Sequence, residues 1–283
     1  MTVRIITDST AYIDEPTLQR LGITVVPLSV SFPDESFKEN CISNEQFYLK
    51  MDASPTIPTS SQPAQGELYA AFAEAVSQGC EVLAVFISSK LSGTYTTALS
   101  AKKMVLQKYP QARIEIIDSL ITTMSMGVPV IETARRAAEG RPLDELVDFA
   151  STMLKNSNIY FMPRTLEYLR KGGRIGRAAA FVGSLLNMRP ILYFEEGWIT
   201  LFEKVRGNRA SIERLLGLVD KAAKERGLRH VVVHHVSAEK SGQELAQQIK
   251  EKHGIEAPVL SIGPVIGLHV GPGTIGIVII TKE

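Results

Sequence analysis

Clustered hydroxyl side chains are the main chemical resource of this chain. Ser88, Ser89, Ser92 and Thr94 crowd the stretch SSKLSGT, which also holds Gly93. A second group, Thr59, Ser60 and Ser61, lies in the proline-rich run SPTIPTSSQP, Ser54–Pro63. Hydroxyls donate to anionic oxygens. Combined with free backbone N–H groups at the positive end of a helix dipole, they make a site for carboxylate, phosphate or sulfate. The surroundings of Ser88–Thr94 suit that chemistry. The apolar run Val82–Ile87 before it reads as a buried strand, and Tyr95, Leu99 and Lys102–Leu106 after it recur at helical spacing. In an open parallel sheet, ligands bind outside the carboxyl ends of the strands, where such a turn lies. The competing reading is that Ser92 or Thr94 only caps the helix.

Other patterns point to less. His230 and His234 share a strand face by spacing, but no third ligand stands at a zinc-binding interval, so no metal site is expected. His269 precedes a Gly-Pro-Gly turn. It could orient an anion or serve as a hydrogen-bonded structural histidine. Gly271–Gly276 matches G-x-G-x-x-G literally. A strand pattern follows it instead of a helix, and Pro272 between the first two glycines has no N–H to offer, so a dinucleotide site is not expected. Neither a G-x-x-x-x-G-K-[ST] loop nor a G-x-S-x-G elbow is present. A serine hydrolase or transferase would have to assemble Ser92 or Ser61 with His269 through the fold. Asp8 and Asp118, each ending a predicted strand, likewise meet His269 only if the fold allows it. Arg164, Arg170, Lys171, Arg174 and Arg177 form a basic run broken by Gly172 and Gly173, with Arg206 and Arg209 further on. The run is either a solvated helix flank or a mobile segment that meets a phosphate or a partner's acidic surface.

The elements around these residues follow from periodicity. Strands are expected at Val3–Ile6, Ile23–Phe32, Val82–Ile87 and Arg113–Ile117. Helices are expected at Glu15–Leu21, from Ser43 to about Met51, and at Glu67–Val76, Met124–Glu139 and Leu143–Leu154. This alternation predicts a mainly parallel sheet covered by helices. Beyond Asn156 the pattern changes. Ile191–Phe194 and Trp198–Val205 flank Glu195-Glu196-Gly197 as a hairpin, and helices are expected at Ala178–Leu186, Ile212–Arg226 and Gly242–Lys252. The expectation is an α/β protein of two domains. An N-terminal domain, 1–157, holds a parallel sheet sandwiched by helices, and a C-terminal domain, 158–283, is mixed α+β. The chain has 31 Lys and Arg against 30 Asp and Glu, a net charge of +1, which gives no global drive toward nucleic acid or an anionic membrane. Cys41 and Cys80 form no CxxC pair and suit a reducing compartment. The N-terminus lacks a basic stretch followed by a long apolar one, and no apolar run approaches the ~20 residues of a spanning helix. A cytoplasmic location without a membrane span is expected.

Six segments then fall into a recognisable order: DSTAYID (Asp8–Asp14), PTSSQP (Pro58–Pro63), ISSKLSGTY (Ile87–Tyr95), LRKGGRIG (Leu169–Gly176), LLNMRPIL (Leu185–Leu192) and HVGPGTIGI (His269–Ile277). Across essentially its whole length the chain resembles the DegV family, fatty-acid-binding proteins that serve bacterial fatty acid kinases. The resemblance implies two α/β domains with a long-chain acid in a tunnel between them. It implies a carboxylate held by Ser60, Ser61, Ser92, Gly93 and Thr94, with His269 in the same network, and a kinase-facing basic surface that includes Arg174 and Arg206. The binding protein itself is then no enzyme and needs no cofactor. A separate kinase subunit supplies ATP and magnesium and phosphorylates the presented carboxylate. Two positions depart from the family pattern. Ser60 stands where a second Thr is usual, which keeps the hydroxyl. Ala64 stands where Ser is frequent, which removes a capping group from the loop. The rival readings are the serine hydrolase or transferase and a small-anion or phosphosugar binding module.

Overall fold

A computed structural model describes residues 2–183 and 188–282. In chain order the elements are β1 (Val3–Asp8), α1 (Glu15–Leu21), β2 (Thr24–Val26), β3 (Ser29–Ser31), β4 (Ser36–Lys38), α2 (Asn44–Ala53), β5 (Thr59–Ser61), α3 (Gln65–Ser77) and β6 (Glu81–Phe86). There follow α4 (Thr94–Lys108), β7 (Ile114–Asp118), α5 (Met124–Ala138), α6 (Leu143–Lys155), β8 (Ser157–Met162), α7 (Glu167–Lys171), β9 (Arg189–Glu195) and β10 (Trp198–Val205). The chain closes with α8 (Asn208–Arg226), β11 (Leu228–His235), α9 (Glu239–His253), β12 (Val259–Ser261), α10 (Pro264–Val270) and β13 (Ile275–Thr281).

The chain divides into two compact units. One comprises Met1–Cys41 with Ser60–Lys155, the other Ile42–Thr59 with Asn156–Glu283. Where the sequence suggests one boundary near residue 157, Ile42–Thr59 clusters with the second unit. Hydrogen bonds supply the reason. Asn44 Nδ2 donates to the Ser261 carbonyl at 3.1 Å, and Tyr48 Oη donates to the Ile262 carbonyl at 2.7 Å.

In the first unit β2-β1-β6-β7 form an all-parallel sheet. All six residues of β6 are buried, so its apolar run is continuous and not alternating. Ile6, Val82, Ala84 and Phe86 pack with Leu68, Phe72, Ala98 and Val105 of α3 and α4. Side-chain alternation turns Ile5, Leu83 and Val85 to the opposite face, where α5 and α6 contact β1 and β6. The chain leaves β1 for one neighbour, β2, and later returns to the other, β6. The switch point of the sheet therefore lies between β1 and β6, and the carboxyl ends of these strands are where open parallel sheets bind ligands. The strand expected over Ile23–Phe32 is broken at Pro27. Its first half, β2, extends this sheet, and its second half, β3, joins a separate sheet of order β4-β3-β5.

The second unit is built on a mixed sheet of order β10-β9-β8-β13-β11-β12. The expected hairpin is present. Glu196 (φ 50°) and Gly197 (φ 85°) both take positive φ, as a tight two-residue turn requires. The helix expected over Ala178–Leu186 is replaced by a short 3-10 segment, Gly176–Phe181, and the end of that expectation, 184–186, lies outside the described residues. Among the described residues no helix is long and apolar enough to cross a membrane.

The Phe72 ring is fully buried against Phe86, with ring centroids 6.4 Å apart. Phe72→Ala is expected to lower the unfolding free energy by about 3–5 kcal/mol. Urea or guanidinium unfolding of the purified variant checks this.

Candidate functional site

The chemistry gathers where β1, β6 and β7 end. Asp8, the last residue of β1, is fully buried. Its Oδ2 accepts the Ile87 N–H at 2.8 Å, and its Oδ1 accepts from Thr10 N at 2.9 Å and Thr10 Oγ1 at 2.5 Å. Asp118, the last residue of β7, accepts from Ser89 N at 3.0 Å and Leu120 N at 3.2 Å. The stretch leaving β6 is thus held by a carboxylate from each neighbouring strand. Asp8 and Asp118 thus serve as anchors of this turn, one on each side of β6. Ser88 completes the frame. Its N–H donates to the Ile121 carbonyl at 2.9 Å, and its own carbonyl accepts from Leu91 N and Ser92 N.

The turn itself is economical with protons. Ser92 Oγ and Thr94 Oγ1 lie 2.9 Å apart, and Ser92 Oγ accepts the Thr94 N–H at 3.3 Å. One hydroxyl donates to the other, so the pair keeps a single hydroxyl proton for anything outside. Thr94 is wholly buried and acts through Ser92, which is half-buried. Ser92 thus helps cap α4 through the Thr94 N–H. Gly93 precedes the fifteen residues of α4, and its N–H makes no hydrogen bond among the described residues. The helix dipole adds positive potential at this end.

Gln62 is the residue that sequence reasoning passed over. Its Nε2 donates to Thr97 Oγ1 at 2.5 Å, and its Oε1 lies 2.0 Å from where a Cβ on Gly93 would stand. A side chain at position 93 would displace that amide. The contact ties the segment that follows Ser60 and Ser61 to the start of α4. Ser61 is exposed, Ser60 is half-buried, and the two form most of β5, a short strand where only an irregular loop was expected. The missing cap at Ala64 is made good by Glu67. Its Oε2 takes the Ala64 N–H at 2.8 Å, and Lys38 holds its other oxygen at 2.6 Å.

The same rim stores strain. Leu120 (φ 58°) and Thr123 (φ 60°) sit in the left-handed half of backbone space, which is costly for a branched residue such as Thr. The buried hydroxyls of Thr122 and Thr123 make no hydrogen bond among the described residues. Strain of this kind gathers at ligand clamps.

In the second unit, glycines let two motifs interlock. A Cβ on Gly172 would fall 2.2 Å from His269 Nδ1, one on Gly271 would fall 2.4 Å from the Tyr168 ring, and one on Gly273 would fall 2.2 Å from Arg164 Cδ. The G-x-G-x-x-G string is therefore a packing surface for the α7 segment. Burial pushes the His269 imidazole down to about 4, with the Arg174 guanidinium adding to the effect, so His269 is neutral at pH 7. Arg174 Nη1 donates to the Gly172 carbonyl at 2.7 Å. Arg206 is exposed and forms no ion pair among the described residues. Burial likewise depresses His234 to about 4, and among the described residues no three His, Cys, Asp or Glu side chains are grouped to hold a metal.

A family model described as "Uncharacterised protein, DegV family" matches residues 2–282. The chain belongs to the DegV family. A DegV domain-containing protein of Clostridium acetobutylicum is 44% identical over 283 residues, covering 100% of this chain and 99% of its own. Among solved structures, the chain is similar to a fatty-acid-binding DegV family protein of Thermus thermophilus, with TM-score 0.91, 29% identity and coverage of 99% and 100% of the two chains. It is also similar to DegV of Bacillus subtilis, a fatty acid binding protein, with TM-score 0.90, 32% identity and full coverage of both chains. The DegV fold expected from six short motifs is the fold found.

Burial raises Asp8 from 3.8 to about 6, against the lowering influence of its hydrogen bonds. A carboxyl group with a raised pKa binds its proton more tightly folded than unfolded. The protein should therefore lose stability as pH rises from about 4 to 6 and level off above, by up to about 3 kcal/mol from this group. Asp8→Asn removes that slope. Urea midpoints of the two proteins at pH 5, 6 and 7 should converge toward acid if the Asp8 carboxyl takes up its proton as expected, and parallel midpoints would refute it.

Proposed function

We propose that the protein binds a long-chain fatty acid and presents its carboxylate to a separate kinase subunit, which phosphorylates it to an acyl-phosphate with its own ATP and magnesium. The observation that carries the reading is the rim of the first unit. The Ser92–Thr94 pair with one available proton, the Gly93 N–H at the head of α4 and the Ser61 hydroxyl suit the two oxygens of one carboxylate. Solved relatives of the same fold, described as binding fatty acids, support it.

The donor set fits a carrier. Neutral hydroxyls and an amide orient a carboxylate without the deep ion pair that would resist its release. Affinity then comes from the tail, at about 0.8 kcal/mol per buried CH₂, which reaches on the order of 10 kcal/mol gross for a long chain before ordering costs. The hydrolase alternative has less support. Ser92 Oγ is engaged by Thr94. Arg174 and Arg206 are assigned to the surface that meets the kinase.

Two experiments test the reading. Native mass spectrometry of freshly purified protein should show a bound long-chain acid, and Ser92→Ala should weaken acid binding about fivefold to twentyfold, as expected for one hydrogen bond to a charged group. Protein that stays free of acid under every preparation, and binds none when it is added, would sink the proposal. Arg174→Glu should reduce kinase-dependent acyl-phosphate formation while acid binding stays near wild type. Loss of acid binding with the fold intact would remove Arg174 from that role.

A further inference from the structure

The second unit carries a cleft of about 370 Å³ that the carboxylate site does not use. Arg164, Thr165, Glu167 and Arg170 line one part of it, and Leu166, Val182 and Pro190 supply apolar wall.

The charges in this cleft are not balanced. Three other arginines of the unit have carboxylate partners: Arg177 with Glu195 and Glu196 at 2.8 Å each, Arg209 with Glu213 at 2.9 Å, and Arg214 with Glu203 at 2.6 Å. Arg164 and Arg170 have none among the described residues. Glu167 is adjacent: Lys171 holds it at 2.9 Å and, with a smaller contribution from Arg170, keeps its carboxyl below the ordinary range, so one carboxylate faces three cations. Two guanidinium charges remain in a protein whose net charge is only +1.

Arg164 is also aimed. Its Cδ and Cγ would lie 2.2 and 2.8 Å from a Cβ on Gly273, so its stem is laid against the glycine backbone of the Gly-Pro-Gly turn. Thr165 Oγ1 accepts the Glu167 N–H at 3.2 Å, which leaves its proton to donate. Two planar forks and a hydroxyl suit a tetrahedral dianion, whereas a single carboxylate would neutralise only one of the two charges. The apolar wall calls for a ligand with an apolar body.

We propose that this cleft binds the phosphate of a phosphomonoester that carries an apolar group, at a site separate from the Ser92 turn. The proposal does not rest on the fatty-acid reading. A soluble alkyl phosphate and a phosphomonoester lipid headgroup share this chemistry, and the test separates them.

Calorimetric titration of the full chain would use n-hexyl phosphate, with inorganic phosphate and hexanoate as comparisons. Vesicle flotation would compare phosphatidylcholine with and without phosphatidic acid. Hexyl phosphate should bind at least tenfold tighter than either comparison ligand. The Arg164→Gln/Arg170→Gln double variant, altered only at exposed positions, should lose at least tenfold, while Ser92→Ala leaves the affinity unchanged. Flotation that depends on phosphatidic acid and on both arginines would make the source a lipid headgroup. Titration without flotation would make it a soluble ester. The proposal is overturned if hexyl phosphate does not bind, if hexanoate binds equally well, if the double variant retains the affinity with its thermal unfolding unchanged, or if Ser92→Ala removes it.

Discussion

The burial of the Asp8 carboxylate is the constraint on which the first unit's site depends. A charged group placed wholly away from water is costly unless each oxygen is hydrogen-bonded. Asp8 meets that demand by taking the N–H of Ile87 and two donors from Thr10. Ile87 is where β6 ends and the hydroxyl turn begins. The carboxylate therefore fixes the direction in which the chain leaves the sheet, and Asp118 repeats the device one strand over. With both sides of the exit held, the Ser92–Thr94 hydroxyl pair and the Gly93 N–H stand at a defined place at the head of α4. Desolvation remains visible as a raised pKa, so the unit keeps part of the cost of holding the turn.

Glycine plays the complementary part, by absence of a side chain. Gly93 admits the Gln62 amide, which ties the segment after Ser60 and Ser61 to the start of α4. Gly172, Gly271 and Gly273 let the α7 segment lie against the His269 turn. A methyl group at any of these points would collide at well under 3 Å with an atom already in place. In this chain, then, glycines in functional-looking strings make room for protein side chains. The G-x-G-x-x-G match shows how one spacing can serve phosphate binding in one fold and close packing in another.

Much of this was legible in the residue order. The continuous apolar run Val82–Ile87 announced a strand covered on both faces, the alternation of strand and helix announced a parallel sheet, and Glu196-Gly197 announced the hairpin. These are local signals, carried by side-chain periodicity and by the φ preferences of a few residues. The hydroxyl turn was legible for the same reason, since strand, turn and helix are contiguous in sequence. The break of the second strand falls at Pro27, whose missing N–H cannot serve a ladder, but nothing local shows that the two halves join different sheets.

What only the tertiary structure decided depends on contacts between residues far apart in the chain. Nothing local to Gln62 shows that its amide fills the space over Gly93, 31 positions on. Nothing local to α2 shows that Tyr48 donates to Ile262, which is why Ile42–Thr59 groups with the second unit. Nothing local to Asp8 or Asp118 shows that their carboxylates accept the N–H groups of Ile87 and Ser89 and so anchor the turn after β6. Arg164 and Arg170 read as part of one basic run. Only side-chain positions separate them from Lys171, Arg177 and the other cations whose charges are already matched. Residue order determined the elements and the chemical types at their ends, because periodicity and turn chemistry act over a few residues. Pairing, burial and charge balance were decided by the fold, because they depend on which distant groups share the same few ångströms.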